Sequence, residues 1–231
     1  MSYTKTIVCL ANSRKLTGRC VAGKEWDGQK LGAWCRPVSA RDRGELTAER
    51  WYRRSWRDPQ LLDLIEVGLL APRPSGCQKE NHLVDTSVRW RFAGRVTPRQ
   101  LLPALDHPAG PLWMNGESTI DGHNDKVPSA LAEQEQYSLV LVQPEQLLIT
   151  VGTEGADRGN PRRRVRGHFS LAGSDYILAI TDPIVEKQIM SNPDGFHTEL
   201  RNPILCISLS EKFESQSACY KLIAGVMRVS S

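Results

Sequence analysis

The 231-residue sequence has no stretch approaching the roughly 18 apolar residues that a membrane-spanning helix needs. Its opening, MSYTKTIVCLANSRK, has no basic region leading into a long apolar one, as an export signal would. A soluble, cytoplasmic protein with no membrane partner is therefore expected. The six cysteines, Cys9, Cys20, Cys35, Cys77, Cys206 and Cys219, are separated by 11, 15, 42, 129 and 13 residues and include no CxxC pair. Such spacing suits reduced, mostly buried thiols better than a disulfide framework or a metal centre. Also missing are GxxxxGK[ST], a GxGxxG after a strand, HExxH and a GxSxG elbow. No catalytic constellation, cofactor or metal is thus expected. Long helical periodicity is nearly absent as well.

What is present can fold. Hydrophobic residues make up 40% and charged residues 24%, with mean hydropathy −0.39, a balance that permits a core in a soluble chain. The length suits one large domain or two small ones. The net charge of +4 averages two opposed regions. Through residue 57, 13 Lys or Arg oppose 5 acids, whereas from 110 to 157 Lys126 alone opposes 8 acids. Arg outnumbers Lys 21 to 9, and the planar guanidinium grips phosphate bidentately and stacks on rings as an ammonium cannot. All six Trp fall in the first 113 residues, within the basic part of the chain.

Short β-branched runs punctuated by Gly and Pro give a mainly β reading. In the first half, strands are expected at 6–11, 18–26, 33–38, 61–70 and 84–96, the last broken near Ser87. A helix is expected at 46–56 between the third and fourth, capped by Thr47 with Arg50 in place of the usual Glu. A further helix at 97–105 starts on Thr-Pro. The second half offers a lead-in run at 138–143, strands at 147–153, 163–171, 175–181, 204–209 and 219–229, and a helix at 183–190. Three strands, a helix and two strands thus occur twice. That order is what a five-stranded OB barrel requires, with the helix plugging one end. The expected organisation is a first barrel over 1–96, a helix and acidic connector over 97–136, and a second barrel over 137–231.

The segment RRRVRGHFSL alternates strictly: Val165, Gly167, Phe169 and Leu171 face one way, and Arg164, Arg166 and His168 the other, with Arg162 leading in. A two-residue period of about 6.6 Å makes this a ladder suited to successive backbone phosphates, although pairing with the acidic connector explains it as readily. In the first barrel, Arg14 and Lys15 follow the first strand, and Trp34, Arg36, Arg41 and Arg43 cluster around GAWCRPVSARDRG. Arg50, Arg53, Arg54 and Arg57 lie beside Trp51, Tyr52 and Trp56. Binders of single strands combine a basic groove with aromatic platforms, and Trp34 or Trp51 would be the platform here. In VRWRFAGR, Val88, Trp90 and Phe92 are expected to pack in the core. Asp63, Glu66, Gln78 and Asn81 form an alternative set that could read a base or ribose between the barrels. The cluster Asp121, His123, Asn124 and Asp125 has no standard metal spacing and reads better as a turn.

Taken together, IVCLANSRK, GRCVAGKE, GAWCRPVS followed by RDRGEL and ER, LLDLIEV, Gln78-x-Glu80-Asn81, Thr181-Asp182-Pro183, LCISLSEKF and CYKLIAGVM resemble the dual OB-containing domain family of bacteria and archaea, from Ile7 to Met227. Cys35 stands where that pattern has an aliphatic residue and Cys77 where it has an aromatic one. The resemblance implies two fused OB folds acting in nucleic-acid or nucleotide recognition in prokaryotic conflict and defence systems, and it carries no catalytic residues. The expected function is non-enzymatic binding of single-stranded nucleic acid through Arg14, Lys15, Arg36, Arg41, Arg43, Arg162, Arg164 and Arg166. The alternatives are a sensor of a small anionic nucleotide, and an adaptor for another protein of a conflict system.

Overall fold

The computed structural model describes residues 2–53 and 56–229. Six strands form the first sheet: β1 (Tyr3–Lys15), β2 (Gly18–Trp26), β3 (Leu31–Val38), β4 (Asp63–Pro72), β5 (Asn81–Val84) and β6 (Arg91–Arg95). They follow the order β1-β2-β3-β5-β4-β6. The first half of β1 pairs with β4 and the second half with β2, which closes a five-stranded barrel. The β3–β5 contact is parallel and the others are antiparallel, as an OB barrel demands. β6 adds to the outer edge of β4.

The second sheet repeats this plan. Its strands are β7 (Lys126–Pro128), β8 (Leu139–Val142), β9 (Gln146–Glu154), β10 (Arg162–Leu171), β11 (Ser174–Ile180), β12 (His197–Arg201), β13 (Ile204–Leu209) and β14 (Ala218–Met227), with helices α1 (Ser129–Ala132) and α2 (Pro183–Ile189). The order β9-β10-β11-β14-β13 matches that of the first barrel, and β11 and β14 are again parallel. The ring does not close in the same way. β12 takes the free edge of β9, and β8, expected only as a lead-in, takes that of β13. α2 lies between the third and fourth ring strands and buries Val185 and Ile189 in the core, with Asp182 accepting from the amides of Ile184 and Val185.

The helix expected at 46–56 is reduced to one 3₁₀ turn, Ala48–Arg50. Arg50 bends back to donate to the carbonyls of Leu46 and Thr47, oxygens that a helix would offer to its own amides, and Trp56 has φ +52°. Thr47 makes no cap and bonds Glu49 instead. Arg54, part of that expected helix, lies outside the described residues. The segment 97–105 is also 3₁₀, Pro98–Ala104; Pro103 has no amide proton for an α-helical bond, and the Gln100 side chain accepts from the Thr97 amide.

Strands that are apolar on both faces join the barrels. In β1, Ile7 and Cys9 point into the first barrel, while Val8 and Leu10 meet Leu139 and Leu141 of β8, Ile204 and Cys206 of β13, and Ala224 and Met227 of β14. The opposite faces of β8, β13 and β14 fill the second barrel with Val140, Val142, Leu205, Ile207 and Ile223. The contact is close: a Cβ on Gly225 would lie 2.2 Å from the Leu10 carbonyl oxygen. The acidic stretch 97–136 is not a loose tether, because Leu101 enters this shared core, Leu112 enters that of the second barrel, and β7 pairs with β14. All six cysteines are free, and burial holds the Cys35 thiol up at about 12. Among the described residues no helix is long and apolar enough to cross a membrane.

Candidate nucleic-acid interface

Most of the cations singled out in the sequence are held by acids. Arg14 pairs with Glu186 at 2.7 Å, Lys15 with Glu211 at 3.0 Å, Arg41 with Glu49 at 2.5 Å and Arg43 with Glu211 at 3.8 Å. On β10 the expected alternation holds, with Val165, Gly167 and Phe169 buried and Arg164, Arg166 and His168 on the opposite face. Arg166 makes a two-pronged contact with Glu154, at 2.6 and 3.1 Å, and reaches Asp125 at 3.5 Å. Arg164 shares Glu154 at 3.2 Å. Arg162 bonds Asn160. Burial and the neighbouring Arg166 depress the His168 pKa, and its ring bonds Thr150. Arg14, Arg41, Arg43 and Arg164 still present an edge to solvent, whereas Lys15 and Arg166 are largely enclosed in their pairs, so those two are corrected from phosphate ligands to structural cations.

Arg36 requires the clearest correction. It is 1% exposed, paired with Glu80 at 3.1 Å and bonded to Ser208 of the second barrel at 3.2 Å. Glu80 in turn accepts from Ser138, so the pair ties the barrels together beyond the reach of a strand of nucleic acid. Trp34 is also withdrawn, half-buried against the shared core with Lys24 over its ring at 5.2 Å. The cause is general to the first barrel. OB folds take oligonucleotides on their second and third strands and the adjoining hairpin loops. Here Trp26, Leu31 and Trp34 of that face pack into the shared core. The β1–β2 end bonds Thr181 and Glu211, and the β4–β5 loop bonds Ser210 through Cys77 and Leu209 through Gln78.

The alternative set does not form one pocket. Asp63 opens β4, is fully buried, and accepts from the Tyr52 hydroxyl at 2.8 Å and the Gln60 amide at 2.9 Å. Asn81 meets Arg73, just beyond the other end of β4, and ten residues at about 3.3 Å separate the two. Asn81 bonds Gln78 in the junction around Arg36, and Glu66 pairs with Arg91 on the outer surface. Around Asp125, Thr119 and Arg166 supply the partners, and Asn124 stands at φ +51°, a hydrogen-bonded turn.

A different face brings aromatic and basic groups together. Residues 53, 56 and 57 lie against the strand edge at 89–92. Trp51 and Trp56 meet edge to face at 6.5 Å, Arg89 lies over Trp56 at 5.2 Å, and Arg57 lies 5.4 Å from both the Tyr52 and Phe92 rings. Trp56 is 62% exposed and Phe92 44%, whereas Trp90 between them in sequence is fully buried. Arg53 is exposed, Arg91 is held by Glu66, and Arg95 approaches Asp63, the acid that Arg57 also holds at 3.4 Å. Tyr52 anchors it from beneath, its phenol pKa raised by burial and by Asp63. The interleaving of Arg with Trp and Tyr over 50–57 is visible in the sequence. What hid Phe92 is that alternation in VRWRFAGR assigns it to the core with Trp90, although β6 lies outside the closed ring.

The second barrel has a groove of about 900 Å³ across β9, β10 and β11, lined by His123, His168, Asp175, Glu145 and Tyr176 among others. No Lys or Arg is among its described lining residues, so it does not continue the basic surface.

A sequence model of the family described as Dual OB-containing domain matches residues 5–226. No curated protein and no solved structure matches the chain.

Proposed function

Because the chain belongs to the dual OB-containing domain family, we propose that it is a non-catalytic module that binds single-stranded nucleic acid on the arginine–aromatic face of its first barrel. The observation that carries this reading is the exposed Trp56 with Arg89 over it, beside Arg57 between Tyr52 and Phe92. Large aromatic surfaces left in water offer stacking to any base, and the guanidiniums beside them reach backbone phosphates. Arg14, Arg41, Arg43 and Arg164 each hold an acid and contribute long-range attraction; Arg57 also holds one, Asp63 at 3.4 Å, but stays beside the Tyr52 and Phe92 rings. Single strands are favoured over duplex because stacking needs a base face that a duplex hides.

Fluorescence anisotropy with an unstructured oligonucleotide and the matching duplex, at several salt concentrations, tests this. The single strand should bind more tightly, with log affinity falling by about 0.7 per neutralised phosphate per unit of log salt. Equal affinity for duplex, or no salt dependence, refutes it.

A further inference from the structure

A cleft of about 310 Å³ opens between the barrels, bounded by Gln60, Leu62 and Arg95 from the first and Ile184, Gln188 and Arg228 from the second. We infer that it is a binding site for one nucleotide unit, a nucleobase carrying a phosphate. The inference goes beyond the proposed strand-binding face and uses residues other than Trp56, Arg57, Arg89 and Phe92.

Its size lies at the lower end of small-ligand pockets, enough for a single nucleotide. Its chemistry is divided in the same way. Leu62 and Ile184, one from each barrel, supply apolar walls, and Ile184 is 47% exposed. Gln60 and Gln188, again one from each, carry amides that both donate and accept, as the edge of a base requires. Arg95 and Arg228 are exposed and supply the guanidiniums that a phosphate takes bidentately. Arg95 is oriented by its bond to the Leu61 carbonyl at 2.9 Å. A bare anion would use the arginines and leave the amides and walls idle.

Two details support a built site. Leu62 has φ +74°, a conformation costly for a branched residue that recurs at ligand clamps, and it is held there by bonds from its amide to Cys9 and from the Val96 amide to its carbonyl. The acid that lines the cleft, Asp182, is already engaged by the amides of Ile184, Val185 and Val226, and Arg95 has Asp63 at 4.0 Å, which leaves Arg228 and the remaining donors of Arg95 for a ligand.

Titration calorimetry and thermal shift with the four nucleoside monophosphates, the matching nucleosides and inorganic phosphate test the site. At least one monophosphate should bind saturably and raise the melting temperature, with its nucleoside and phosphate at least tenfold weaker. Arg228→Ala and Gln188→Leu, at exposed positions, should melt as the parent without ligand and bind the monophosphate at least tenfold more weakly. Trp56→Ala should bind it unchanged. In the Trp56→Ala background, competition by a 5′-phosphorylated oligonucleotide assigns the site to a strand end, and competition by free nucleotide alone assigns it to a free metabolite; either supports the site. No monophosphate binding, or equal binding by the Arg228→Ala and Gln188→Leu proteins, overturns it. Loss of oligonucleotide binding by the parent with monophosphate binding retained would instead count against the strand-binding face.

Discussion

Replacing Arg36 by Ala separates a structural cation from a phosphate ligand. Removal leaves Glu80, whose side chain is 7% exposed, with the Ser138 hydroxyl and no cation. Breaking one side of a buried pair costs about 3–5 kcal/mol. At about 2–4 °C per kcal/mol for a chain of this size, the melting temperature should fall by about 6–20 °C. Scanning calorimetry measures this loss. The double variant Arg36→Met/Glu80→Gln, which removes both charges, should recover at least half of it. An Arg36→Ala protein that melts like the parent yet binds oligonucleotide far more weakly would refute this account and return Arg36 to the phosphate ligands.

Trp56→Ala should weaken oligonucleotide binding about 5- to 150-fold, the equivalent of about 1–3 kcal/mol of stacking, and leave the melting temperature unchanged because the ring is mostly in solvent; anisotropy and calorimetry together check both. Gly225→Ala should force the barrels apart where its Cβ meets the Leu10 carbonyl, lowering the melting temperature and increasing binding of a hydrophobic dye. Lys221 is buried, bonded to Met114 and Asn115, and burial lowers its pKa to about 8. Between about pH 8 and the 10.5 of a free lysine the unfolded state holds the extra proton, so stability should rise across that window; chemical denaturation should show the rise in the parent and its loss in Lys221→Met.

Local patterning explains what could be read in advance. β2 and β13 run over the expected residues, 18–26 and 204–209, and α2 ends one residue early, because each is a continuous run bounded by turn or cap residues. β12 escaped notice because HTELR is an edge strand with polar residues on both faces, and β7 because it has three residues. The alternation in β10 revealed which side the arginines take but not what they meet. Glu154 lies across the β9–β10 hairpin, and Asp125 arrives from 41 residues away. Arg36 was misplaced for the same reason: its partner lies 44 positions on, and the second barrel that buries both contributes Ser138 and Ser208 from the far half of the chain. The double-sided apolar runs in β1 and β13 were visible as sequence, but only the paired barrels show that the second side is an interface.

That interface also sets an order of events during synthesis. Val8 and Leu10 are made early, yet the residues that cover them, Ile204, Cys206, Ala224 and Met227, belong to the last two strands. A nascent first barrel can form its hydrogen-bonded ring from residues 3–84 but must hold an uncovered apolar face until β14 leaves the ribosome. At about 5–20 residues per second, the 140-odd residues between β5 and the end of β14 take roughly 7–30 seconds to make, the interval in which a chaperone or a neighbouring nascent chain competes for that face.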